Sequence, residues 1–374
     1  MKILLVTPNS IDHSAGGTIR TSHIRDALLR LGQVHTVVFQ HGVREYREKD
    51  SGEYAISQAR YTRSGFSIES LRQRRRLRQW IGELIDEHRF DFIVVCFLST
   101  TLLVPRSEWN RVIADADDAF KSLPMDGSAT LIRRLALFVR NAFTFLLAGR
   151  VAHVWYVNAR DGERLPTSEK SILQNVITMP DIGRQRALPV RQRIVMVGLI
   201  EHPPNEQGLR WFVKEVMPPL VAEFPDLELH VIGRTRSGFG DDFDGEHVKI
   251  RGFVKDLTTE YDSAELVVAP IFFGGGTQIK VIDAMAHGRP LVASDFAHSG
   301  FISNLRATEH LCVARTRSEW IDYCKWALNN RAAAQAMADR GRAAVTAYDP
   351  AVLEESVKQT IVNLASRSAQ RAVG

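Results

Sequence analysis

Short apolar runs, each of strand length and each followed by a helical pattern, recur through both halves of this chain, and this alternation constrains the fold most. Lys2–Thr7 is β-branched and leucine-rich, with the length of a buried parallel strand. After the loop from Pro8 to Gly17, Thr18–Leu31 carries Ile19, Ile24, Ala27, Leu28 and Leu31 at helical spacing, and Gly32 stops it. Val34–Phe39, Asp91–Phe97, Arg111–Ala114, Val151–Val157 and the short Ser171–Val176 read as further strands. Trp80–His88 with the arginine-rich stretch before it, and Leu131–Leu147, read as helices. Such alternation predicts a doubly wound parallel sheet.

The pattern breaks between Met179 and Arg193, where two prolines, a glycine and four arginines fall within fifteen residues and read as a linker. Beyond it the alternation restarts. Ile194–Val197, Leu227–Ile232, Val248–Gly252, Leu266–Ala269 and Leu291–Ala293 are predicted strands. Gln207–Phe224, which contains Pro218-Pro219, and Ile279–His287 are predicted helices. Three helical patterns follow, Ser318–Leu328, Ala332–Ala347 and Ala351–Ser366. A length of 374 residues also suits two α/β domains better than one.

Composition removes several function classes. With 45% apolar and 24% charged residues the chain has the makings of an ordinary core. Cys96, Cys312 and Cys324 are odd in number and far apart, so they form neither a disulfide framework nor a zinc ligand set. The region Leu135 to Val157 is interrupted by Arg140, Asn141 and Arg150 and is not a spanning helix. Met1 to Pro8 lacks the longer apolar stretch of a leader, so a cytoplasmic location is expected. A net charge of +5 is small for a dedicated nucleic-acid binder, and none is expected as partner. The charge is uneven, however: seven arginines lie from Arg60 to Arg78, with Glu69 the one acid. Either a solvated helix face or a surface for anionic lipid or a charged acceptor accounts for them.

Ligands of open α/β sheets bind at the carboxyl ends of strands, where helix N-termini present N–H groups. Two glycine clusters occupy such places. Gly16-Gly17 precedes a helix after the first strand, and Gly274-Gly275-Gly276-Thr277 lies between Leu266–Ala269 and Ile279–His287. The second continues as Gln-Ile-Lys-Val-Ile-Asp-Ala-Met-Ala-His-Gly-Arg-Pro-Leu-Val-Ala-Ser to residue 294. This stretch resembles the signature of retaining nucleotide-sugar glycosyltransferases of family 4, the two-domain GT-B type. The segment Val-Gly-Leu-Ile-Glu-His-Pro-Pro-Asn-Glu-Gln-Gly-Leu-Arg-Trp-Phe, residues 197 to 212, is similar to the opening of the donor domain in a bacterial sugar-transferase subgroup. Leu229–Gly233, Val248–Val254 and Gln174-Asn175 extend the likeness.

The resemblance implies two Rossmann-like domains: residues 1–178 for the acceptor and 194–347 for the donor, joined by 179–193. A last helix within 348–374 would cross back to the first domain. It also implies a retaining, metal-independent transfer of a sugar from a nucleotide-sugar donor to an acceptor hydroxyl, with no cofactor. That acceptor would be a glycan, a lipid-linked saccharide or a small molecule, and the role would lie in polysaccharide biosynthesis. Donor phosphates would meet Gly16, Gly17, Gly274, Gly275, Gly276, Thr277 and Lys280, with Arg234 as a further cation. Asp283 stands where the family has a glutamate for the ribose hydroxyls, and the base would sit near Gly233, Phe253 and Val254. Asp283, Lys280, Asp117 and Asp115 are the candidate catalytic residues. On the acceptor side His13, Asp115, Asp117 and Asp118 are candidates, with a loop and helix cap as the alternative use of the aspartates. Asp115-Ala-Asp117 also has the Asp-x-Asp spacing of metal-binding GT-A enzymes, but two separate α/β halves argue against that architecture. The chain departs from the family at Gly275, which stands in place of a glutamate near the donor sugar. It departs also at Leu199 and Gln207, where an arginine and a lysine are usual. A sugar-nucleotide 2-epimerase and a partner subunit that has lost part of its site are therefore the competing readings.

Overall fold

The computed structural model describes residues 1–374 apart from 9–15, 40–52, 56–67, 118–119, 121–129, 182–187, 190–191, 236–237, 240–241, 244, 246, 302 and 374. Its contacts divide the chain into two units. Unit 1 gathers Met1–Lys121, Leu131–Val176 and Pro350–Gly374, and unit 2 contains Ile177–Asp349.

Unit 1 is built on the strands β1 (Lys2–Thr7), β2 (Gln33–Val38), β3 (Glu53–Ala55), β4 (Phe92–Cys96), β5 (Val112–Asp115), β6 (His153–Tyr156) and β7 (Lys170–Ile172). They form one parallel sheet in the order β3-β2-β1-β4-β5-β6-β7. Between and after them come α1 (Gly16–Leu29), α2 (Ile68–His88), α3 (Leu131–Ala148) and α4 (Ala159–Arg164). Successive strand residues point to opposite faces. Leu4, Val6, Ile93 and Val95 therefore join Leu77, Ile81, Leu84 and Ile85 of α2 in one layer. Ile3, Leu5, Phe92 and Val94 join Ile24, Ala27 and Leu28 of α1 in the other, together with Leu353, Val357 and Ile361 from the last helix of the chain. Burial on both faces is why these strands read as unbroken apolar runs.

Unit 2 repeats the plan with β8 (Arg193–Val197), β9 (Glu228–Ile232), β10 (Val248–Gly252), β11 (Leu266–Ala269), β12 (Leu291–Ser294) and β13 (Cys312–Ala314). All are parallel, in the order β10-β9-β8-β11-β12-β13, so the direction of winding reverses between β8 and β11. Its helices are α5 (Pro203–Glu215), α6 (Met217–Val221), α7 (Thr258–Ser263), α8 (Ile279–Ala286), α9 (Asp295–His298), α10 (Arg317–Asn329) and α11 (Arg331–Ala344). Thr316 and Glu319 close a reciprocal capping box at the start of α10. The last helix, α12 (Pro350–Val373), belongs to unit 1.

Several features differ from the sequence reading; β7 keeps only Ser171 and Ile172 of the strand read over Ser171–Val176, and α4 had no counterpart. The single helix expected over Gln207–Phe224 is two, α5 and α6, broken at Val216. Pro218-Pro219 explains the break, because proline lacks an N–H and its ring clashes with the carbonyl four residues earlier. The three-residue strands β3 and β13 were not anticipated; neither is long enough to show a run of its own.

Candidate functional site

The carboxyl ends of β8 and β11 flank the reversal of strand order in unit 2, the place where open α/β sheets bind ligands. Beyond β8 the chain passes Gly198 and Leu199 and enters α5, which begins with Pro203-Pro204. Proline is well suited there, since the first N–H of a helix has no intrahelical partner. Asn205, in the first turn, donates from Nδ2 to the Leu199 carbonyl at 2.7 Å, which fixes its amide. Its Oδ1 then accepts a hydrogen bond from Nζ of Lys280, the second residue of α8. A side chain at Gly198 would have no room: its Cβ would lie 2.9 Å from Lys280 Nζ and 3.0 Å from Asn205 Nδ2.

The backbones at this edge approach closely. Gly233, just after β9, has φ of 137°, and a Cβ there would lie 1.7 Å from the Gly198 carbonyl oxygen. Only glycine combines that dihedral with that approach. The Gly233 N–H donates to the Gly252 carbonyl at 2.8 Å and the Gly198 N–H to Ile232 at 2.9 Å, tying the ends of β8, β9 and β10 together. Arg234 and Phe253 follow these strands exposed, whereas Val254 packs against the core. In the run 274–276, Gly274 has φ of 137° and Gly276 of 62°, so the loop after β11 is left-handed at two of three positions. Thr277 and Gln278 separate this run from α8, and Gln278 is the helix N-cap.

Burial dominates the electrostatics. Lys280 is half-buried, and desolvation of its ammonium pulls its pKa from the ordinary 10.5 down to about 8. One turn further along α8, Asp283 is 27% exposed. Its Oδ2 accepts the hydroxyl proton of buried Tyr261 at 3.0 Å. His287 lies a turn later, with Nδ1 2.9 Å from the Asp283 carbonyl and 3.8 Å from Oδ1, and its ring stacks on Tyr261 at 4.4 Å. Burial raises the Asp283 carboxyl above its ordinary range, while His287 and the Tyr261 hydroxyl pull it back. Asp283 is thus an anchored, half-buried carboxylate. Tyr261 lies outside the quoted motif and His287 inside it, and neither was given a role from the sequence. The pair Lys280 and Asp283, spaced i to i+3, shares one face of α8.

In unit 1 the candidates fare differently. Gly16 and Gly17 are the first residues of α1. Asp115 ends β5 but is not available to an acceptor: its Oδ1 and Oδ2 are held at 2.6 Å and 2.9 Å by Arg20, with both side chains 3% exposed or less. Arg20 also donates to Asn175 Oδ1 and to the carbonyls of Leu173 and Gln174. The expectation for Asp115 is corrected to a buried clamp joining α1, β5 and the segment after β7. A buried arginine needs such a fixed partner, and Arg20, in an ordinary helical pattern, gave no sign of it. Asp117 is half-buried two residues beyond β5. His13 and Asp118 lie outside the described residues, as do residues 60–67 of the arginine-rich segment; the rest of that segment belongs to α2. Among the described residues, no group of three or more His, Cys, Asp or Glu is arranged to hold a metal.

Residues 191–330 match the family described as glycosyl transferases group 1. An uncharacterized 44.6 kDa protein in the cps region of Klebsiella pneumoniae is 27% identical over 120 residues, 30% of this chain and 31% of that one. A phosphatidyl-myo-inositol mannosyltransferase of Mycolicibacterium smegmatis is 37% identical over 86 residues, 21% of this chain and 22% of that one. The chain thus spans less than a third of either curated relative. The sucrose-phosphate synthase of Thermosynechococcus elongatus superposes with a TM-score of 0.74 at 14% identity, over 98% of this chain and 100% of that one. The two parallel-sheet units therefore form the GT-B fold, and the segment that matches group 1 glycosyltransferases is the one that carries Lys280 and Asp283.

Proposed function

We propose that this chain is a retaining, metal-independent glycosyltransferase that moves a sugar from a nucleotide-sugar donor to an acceptor hydroxyl. The observation that carries the reading is the Lys280 ammonium. It is desolvated at the switch point of unit 2, oriented by Asn205 and adjacent to the left-handed glycine loop. A half-buried cation close in sequence to a glycine loop at the head of a helix is suited to a diphosphate, whose charge grows as it departs. The donor's anomeric carbon–oxygen bond to phosphate breaks, and the acceptor oxygen bonds to the same carbon on the same face. The acceptor proton passes to the departing phosphate oxygen, so no strong protein base is required. Asp283, with one oxygen on Tyr261, has lone pairs left for the ribose hydroxyls. Gly233, Arg234, Phe253 and Val254 border the nucleobase position, and Asp117 remains the candidate for the acceptor.

A saccharide or lipid-linked saccharide acceptor suits the likeness to a protein of a cps region and to a mannosyltransferase of phosphatidyl-myo-inositol. Gly275 favours one competing reading, a partner subunit that binds a nucleotide without turnover, since it offers no carboxylate to the donor sugar. Incubation with UDP-, GDP-, ADP-, CMP- and dTDP-linked sugars and candidate acceptors tests both. Glycosylated product with released nucleotide supports transfer. Binding without product supports the partner subunit, and an isomerised donor the epimerase.

A further inference from the structure

Helix α3 (LIRRLALFVRNAFTFLLA) is turned the wrong way round for a core helix. Its inward stripe is Leu137, Asn141, Thr144 and Ala148, at spacings of four, three and four, with Leu147 beside it. This stripe faces the turn at residues 98–103. The opposite face carries the larger apolar side chains and is open to solvent: Ile132 is 82% exposed, Phe138 70% and Leu135 62%, with Leu131, Val139, Phe143, Phe145 and Leu146 also exposed. An amphipathic helix on a globular protein normally buries that face. A contiguous apolar patch of this kind marks an interaction surface.

Charge identifies the occupant. Helix α3 contains no aspartate or glutamate, and exposed Arg134 and Arg140 border the apolar arc on its two sides. Helix α2 packs against the same 98–103 turn and displays exposed Arg72, Arg75 and Arg76. In a symmetric pairing with a second copy these cationic borders would be brought towards each other. Anionic phospholipid headgroups complement them, and the acyl boundary accepts the apolar face. No helix among the described residues is long and apolar enough to cross a membrane. We infer that α3 lies in the plane of an anionic bilayer surface, its apolar face among the acyl chains and its arginines, with those of α2, at the headgroups. This assignment stands independently of the transfer reaction.

The test is sedimentation of the full chain with phosphatidylcholine vesicles, with and without phosphatidylglycerol. The parent pellets with the anionic vesicles about tenfold more readily than with neutral ones. Leu135→Asp/Phe138→Asp lowers that binding about 10- to 100-fold with the melting temperature unchanged, because both side chains already face solvent. As a second readout, Phe138→Trp blue-shifts its emission on anionic vesicles only. The inference is overturned if the parent stays in the supernatant with both vesicles, or if the double variant binds as the parent does. It is equally overturned if the patch instead holds two copies together, seen as a dimer that the double variant converts to monomer without any vesicle binding.

Discussion

Replacing Lys280 by methionine separates a phosphate-binding lysine from a structural one. The ammonium sits about 2.5 pH units below the ordinary lysine value, from 10.5 to about 8, which at ~1.4 kcal/mol per unit is a burial penalty of about 3 kcal/mol. Its hydrogen bond to Asn205 returns about 1.5–3 kcal/mol. Methionine removes both terms, so they nearly cancel and the variant's stability should lie within about 1 kcal/mol of the parent. Nucleotide binding has no such cancellation. Losing charge-assisted hydrogen bonds to phosphate costs about 1.5–3 kcal/mol, or 10- to 100-fold in affinity. The pH dependence follows with a definite sign. A bound diphosphate raises the Lys280 pKa, so binding takes up a proton above pH 8, and the parent's affinity falls about tenfold as pH rises from 7 to 9. Stability moves the other way. The unfolded chain holds more protons between about pH 8 and 10.5, so the parent gains stability through that window and Lys280→Met does not. Calorimetric titration of nucleoside diphosphate at several pH values, with thermal melts alongside, measures all of these. An affinity within twofold of the parent, or a large drop in melting temperature with affinity intact, would show that Lys280 is an ordinary structural lysine.

Asp283→Asn should weaken nucleoside diphosphate binding about 10- to 100-fold by titration while Tyr261 keeps an oxygen acceptor; unchanged affinity removes the ribose role. Gly198→Ala should displace Lys280 and Asn205, whose atoms stand 2.9 Å and 3.0 Å from the new methyl. It should therefore reproduce much of the Lys280→Met affinity loss in the same titration. Arg20→Met leaves Asp115 charged and buried and should cost about 3–5 kcal/mol in urea unfolding. Arg20→Met/Asp115→Leu should recover part of that cost, and a double variant no better than the single one would contradict the clamp.

The parts of the fold that were legible before the structure are those where one local pattern decides. Val248–Gly252 and Leu266–Ala269 are strands with the bounds read from sequence. Hydrophobic runs buried on both faces leave little choice of start and end. β3 and β13 are ordered by hydrogen bonds to β2 and β12 rather than by any run of their own. The site divides the same way. The glycine loop, Lys280 and Asp283 belong to one continuous motif. The residues that condition them do not: Asn205 reaches Lys280 from 75 positions away, Tyr261 reaches Asp283 from 22, and Arg20 reaches Asp115 from 95. Such partners are chosen by the closing of the sheet and leave no periodicity to read. Asp115 shows the consequence, since a carboxylate at a strand end looks the same in sequence whether it faces a ligand or a buried arginine.

The place of α12 sets an order of events at the ribosome. The core of unit 2 is drawn from Ile177 through Tyr348, one unbroken stretch, and is fully synthesised before α12 begins. Unit 1 starts first but finishes last. Leu353, Val357 and Ile361 fill one side of its sheet beside Ile3 and Leu5, and Trp155 donates its indole N–H to Thr360 at 3.1 Å. Until those residues emerge, the nascent chain holds an earlier domain with one apolar sheet face covered by α1 alone, behind a later one already closed. Chaperone occupancy should therefore fall on unit 1. A stop codon between residues 331 and 349 would leave that part of the face open permanently, marking the truncated product for proteolysis even though every residue of the group 1 match had been made.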